Sequence, residues 1–164
     1  MTEDYGTGNP WSRLRDRPYV LPEDAEAIAE FNRKNNGSVY EINLDVFPDP
    51  FVGSPTAPIW LLNLNPGLDK RDLDHPPEVV DMQRRNIVFE VDRFWYLDDA
   101  FAQTSGFEWW RKICGRLIAE HGVEKLTRAF FCVEFFPYHS FRYKQRQPPC
   151  PRSRMRPQRL RSQE

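Results

Sequence analysis

The chain has 164 residues, 23 basic and 24 acidic, and a formal net charge of −1 at pH 7. That length suits one domain with its own core, and no apolar run approaches the roughly 20 residues of a membrane-spanning helix. The near-neutral total is unevenly split: residues 142–164 hold eight basic groups and one acid, leaving 15 basic and 23 acidic groups on residues 1–141. The body is therefore −8 and the tail +7. Such asymmetry points to a charged tail or a nucleic-acid contact. The N-terminus, MTEDYGTGNP, lacks the basic-then-apolar pattern of a signal peptide, which points to the cytoplasm. Oligomeric state is not legible.

Residues 1–20 are polar and rich in proline and arginine, and read as an irregular arm. Pro22, Glu23 and Asp24 mark a helix start, since proline and acids suit a first turn. Ala25, Ile28, Ala29 and Phe31 give an apolar stripe, and Asn35-Asn36-Gly37 a stop. Residues 39–44 (VYEINL) alternate as in a half-buried strand. Residues 45–57 are crowded with turn formers and read as a loop. Residues 58–64 (PIWLLNL) form a continuous apolar run, expected at the centre of a sheet covered on both sides.

Residues 76–90 read as a helix entered through two prolines. Residues 107–121 read as an amphipathic helix with Trp110, Ile113, Leu117 and Ile118 on one face and Gly122 as its stop. Residues 128–136 (RAFFCVEFF) form a second apolar strand ended by Pro137. Alternating helices and buried strands predict a three-layer α/β domain over residues 21–143, with a short, mostly parallel central sheet between helices. Residues 144–164 lose all periodicity and read as a disordered basic tail.

Ligands of open parallel sheets sit beyond the carboxyl ends of the strands. Two strands here end in unusual polar sequence, Asn63-Leu64-Asn65-Pro66-Gly67 and Glu134-Phe135-Phe136-Pro137-Tyr138-His139-Ser140. Pro66 stiffens its turn, and Gly67 permits positive φ and close approach of a ligand. Asn65 would be an amide held at a strand tip; the same tripeptide also serves as a simple strand-to-helix turn. His139 is an acid/base or electrophile near neutral pH, or a loop or core-edge histidine satisfied by backbone. Glu134, inside an apolar strand, either faces the pocket near Asn65 or pairs with an arginine, because an unpaired buried charge is costly. His75 reads as a solvated helix-entry residue, and Asp69, Asp72 and Asp74 as a solvated loop. His121 complements a helix dipole. The three histidines and Cys114, Cys132 and Cys150 show no metal-ligand spacing, so neither a metal nor an organic cofactor is expected.

Taken together, PIWLLNLNPG (58–67), PDPFVGSPTAP (48–58) and RAFFCVEFFPYHS (128–140) resemble the uracil-DNA glycosylase superfamily over residues 38–140. The N-P-G loop is similar to the first catalytic motif of the mismatch-specific and single-strand-selective branches. The flanking segments resemble bacterial members. The resemblance implies a DNA-repair hydrolase that cleaves the N-glycosidic bond of a damaged base flipped into a pocket, with DNA as partner. It implies that Asn65 orients the attacking water, with Pro66 and Gly67 against the base or sugar. His139 has no counterpart in the family's pattern; it, Glu134 and Ser140 are candidates on their own chemistry at the strand tip, and Phe51 and Tyr138 are the candidate stacking rings. Asn63 stands where the family has glycine. The family's His-Pro-Ser type loop, which follows a later strand, has no match here. The domain is accordingly expected to be C-terminally incomplete, with the 144–164 text either a basic arm on phosphates or the product of a frame change. A non-catalytic nucleotide or nucleic-acid binding protein with the same fold is the alternative.

Overall fold

The computed structural model describes residues 8–144. The expected tail, apart from Lys144, lies outside the described residues, as do residues 1–7 and Cys150. Four helices are described, α1 (Ala25–Asn35), α2 (Pro77–Ile87), α3 (Ser105–His121) and α4 (Val123–Ala129). Three strands accompany them, β1 (Phe51–Gly53), β2 (Ile59–Asn63) and β3 (Phe130–Glu134). The fold is mixed α/β. No described helix is long and apolar enough to cross a membrane.

The sheet order is β1-β3-β2. β2 and β3 are parallel, with Asn63 opposite Glu134 at their carboxyl ends. β1 runs antiparallel to β3. The expectation of a mostly parallel sheet is corrected to a mixed one. The expected strand over 39–44 is replaced by a single bridge from Asn43 to His139. Side-chain amides there do what a ladder would do. Asn32 bonds both the N–H and the C=O of Ile42, and Asn43 Oδ1 accepts from the N–H groups of Asp45 and Val46. Conversely, the expected loop contains β1. Its outer edge is closed by the Asn86 amide, which donates to the Phe51 carbonyl and accepts from the Gly53 N–H.

Alternation along β1 and β3 feeds two cores. Phe51 and Phe131 face one built from Trp11, Leu21, Ile28, Phe31 and Phe136. Val52, Phe130 and Cys132 face another built from Phe94, Trp95, Leu97, Trp110 and Leu126. Helices thus cover both faces at β1 and β3. The described part of the expected N-terminal arm, residues 8–20, is irregular apart from a 3₁₀ turn over Pro10–Arg13, yet Trp11 and Tyr19 anchor it in the first core.

β2 is the surprise. It was expected at the centre of the sheet and lies at its edge, with Trp60 55% and Leu62 74% exposed. In α3 the buried stripe runs Trp110, Cys114 and the partly buried Ile118. Ile113 and Leu117, expected on that face, are exposed beside it. Gly122, at φ 81°, ends the helix as expected.

Candidate functional site

The carboxyl ends of β2 and β3 open into a cleft of about 570 Å³. Asn63, Asn65, Pro66, Gly67, Glu134 and His139 all line it. The parallel register brings Asn63 Nδ2 to donate to Glu134 Oε1 at 3.1 Å. Glu134 is 7% exposed, and among the described residues its Oε2 has no hydrogen-bond partner. Burial pushes its pKa up to about 8; the Asn63 hydrogen bond opposes this, and nearby Asp49 adds to it. Of the two readings of Glu134, the pocket-facing one fits, since no arginine pairs with it among the described residues.

Gly67 has φ 70°, which turns its carbonyl toward the 137–140 loop. That carbonyl accepts from His139 Nδ1 at 2.6 Å. A carbonyl only accepts, so Nδ1 carries a proton, and Nε2 offers a lone pair whenever the ring is neutral. This buried Nε2 is 3.8 Å from Asp49 Oδ2 and has no hydrogen-bond partner among the described residues. Asn65 Nδ2 reaches Ser140 Oγ at 3.4 Å.

Asp49 went unnoticed among the turn formers of PDP. It is 4% exposed and lines the cleft. Tyr96 donates to its Oδ2 at 2.6 Å and Gln83 to its Oδ1 at 3.1 Å. Burial raises its pKa, partly offset by His139 and by these two donors. The backbone signals it only weakly, through the bond of its own N–H to the Pro137 carbonyl.

The Asp69–Asp74 turn also needs correction. Asp72 is buried, accepting from the Asp69 N–H, Ser105 Oγ and His75 Nε2. Burial acts to raise its pKa, but these bonds outweigh burial and hold it below the ordinary value. The His75 side chain is 9% exposed and lines the cleft. The cluster is a capping box for the 3₁₀ turn over Lys70–Asp74, tied to the first residue of α3.

The two expected stacking rings lie elsewhere. Phe51 is 3% exposed and stacked on Phe89 at 4.7 Å. Tyr138 is 1% exposed; its hydroxyl donates to Asp24 Oδ2 and accepts from the Leu21 N–H, tying the start of α1 to the 137–140 loop. Neither ring reaches the cleft, because each is used by the first core. Ser140 is fully buried and accepts from the Asn65 amide. Instead Trp109, half-exposed and edge-on to Trp110, lines the mouth. The adjacent Trp109-Trp110 pair was the signal, since neighbours on a helix point different ways.

Gly106 gives Tyr96 its place. A Cβ at position 106 would come within 2.3 Å of the Tyr96 ring. Gly106→Ala should therefore lower the unfolding free energy by about 1–3 kcal/mol, as overpacking does. Urea titration checks this; an unchanged midpoint contradicts it. Among the described residues, no group of three or more His, Cys, Asp or Glu is arranged to hold a metal ion. Comparison with protein-family models, with curated proteins and with solved structures returns no match to this chain.

Proposed function

We propose that the chain is a base-excising hydrolase, which cleaves the N-glycosidic bond of a damaged base such as uracil turned out of a DNA strand. The observation that carries this reading is the convergence of the Asn63–Glu134 pair, the Asn65-Pro66-Gly67 loop and His139 on one cleft. Its volume lies in the range of small-molecule sites.

Glu134, protonated at pH 7, donates its proton from Oε2 to the departing base nitrogen as the bond to C1′ breaks. Asp49, held by Tyr96 and Gln83, offers negative charge to the electron-poor sugar. Asn65 orients a water whose oxygen bonds to C1′, and His139 Nε2 takes the water's proton. Solvent then takes that proton from His139 and returns one to Glu134. Trp109 offers a ring on which the flipped base stacks. Arg71 and Lys112 at the rim suit phosphates.

The test is base release from uracil-containing single- and double-stranded oligonucleotides by the full chain. Release that His139→Ala lowers roughly 100-fold or more without unfolding supports the reading. Absence of release overturns it. Salt-dependent binding without release would favour a non-catalytic binding protein, a reading for which Asn63, in place of a glycine, is the specific motive.

A further inference from the structure

Among the described residues, the β2 edge is an apolar feature that the cleft leaves unused. β2 pairs only with β3 among the described residues, so its other edge presents free N–H and C=O groups. Natural edges are usually blunted by lysine, proline or a bulge; Ile59–Asn63 carries no charge and no proline. Ile59, Trp60, Leu62 and Leu64 are 45–74% exposed. On α3, Trp109, Ile113 and Leu117 are 41–55% exposed in a four-residue stripe that begins at the cleft mouth, which Leu64 also lines. These seven side chains supply on the order of 800 Å² per copy, the size of one side of a standard interface.

The composition of residues 145–164 suits this edge poorly. Residues 145–164 contain four prolines and six arginines, and a proline cannot donate to a ladder. We propose that a second copy of this chain docks here, β2 against β2 in antiparallel register about Leu61. A two-fold axis normal to the sheet, midway between the Leu61 residues of the two copies, sets Trp60 opposite the partner's Leu62, so that ring and aliphatic side chain cover each other's apolar surface. It sets no like charges against each other, since the strand has none. The same axis preserves the faces of the sheet, so the α3 stripes of the two copies lie on one side and meet each other. One patch is thus complementary to itself in both layers, as a two-fold interface requires. Six strands then form one sheet.

Sedimentation velocity of the full chain at tens of micromolar tests this. The expected species is a dimer of the 19.5 kDa chain, unchanged in 1 M NaCl. Leu62→Lys and, separately, Ile113→Glu should each weaken it at least 10-fold, with circular dichroism unchanged because both positions are exposed. A wild-type monomer overturns the proposal, as does a dimer indifferent to both substitutions. Dissociation in 1 M NaCl overturns it too, since that would mean pairing of the acidic body with basic residues 142–164.

Discussion

Glu134→Gln should abolish most base release, with a loss of 100-fold or more in single-turnover rate, while leaving the fold intact. Glutamine keeps an oxygen for the Asn63 amide but has no proton to give to the leaving base. That loss is the usual size for a general acid. The substitution also has a thermodynamic signature. The folded-state pKa of Glu134 is about 8, above the ordinary 4.5. Between those values the native state binds more protons than the unfolded chain, so stability falls as pH rises through this window. The contribution is fully present below pH 4.5 and is lost above pH 8, on the order of 5 kcal/mol. Glu134→Gln removes that slope and should be more stable than wild type at pH 9. Asp49, also raised by burial, leaves a residual slope of the same sign. Urea melts from pH 5 to 9 check this, and equal slopes in the two proteins would contradict it.

Asp49→Ala should cost about 3 kcal/mol and eliminate activity. It strands the Tyr96 hydroxyl and the Gln83 amide in the core, and each unsatisfied buried donor costs about 1–3 kcal/mol. Relief of a desolvated carboxyl offsets part of that. The diagnostic is the double variant: adding Tyr96→Phe to Asp49→Ala should recover about 1 kcal/mol, because one stranded donor disappears. Strictly additive losses would show that the Asp49–Tyr96 hydrogen bond is not the source.

The sequence carried three of the four described helices and the strand ends well, for physical reasons; α4 was not expected, and it takes Arg128 and Ala129 from the strand expected over 128–136. Caps and stops such as Asn35-Asn36-Gly37 and Gly122 act locally, and α1, α2 and α3 lie close to their expected spans. The two strand tips converge as expected because β2 and β3 are parallel neighbours. Strand order was not legible: an apolar run such as Ile59–Leu62 looks the same at a centre as at an uncovered edge. Side-chain amides that replace a ladder, as Asn32 and Asn86 do, leave no periodic trace. Phe51 and Tyr138 were aromatic and near the motifs, but adjacency in sequence did not reveal that the core had taken them. Asp49 was hidden because an aspartate between two prolines looks like a turn. Its importance arises from Gln83 and Tyr96, 34 and 47 residues away.

The proposed function requires that the strand-tip cleft receive the base. Titrating a uracil-containing single strand into the isotope-labelled full chain and mapping amide shifts tests it most directly. Saturable shifts are expected at residues 63–65, 67, 134 and 139, and at the Trp109 indole. Saturable shifts confined to residues outside the cleft, or none at all, would contradict it.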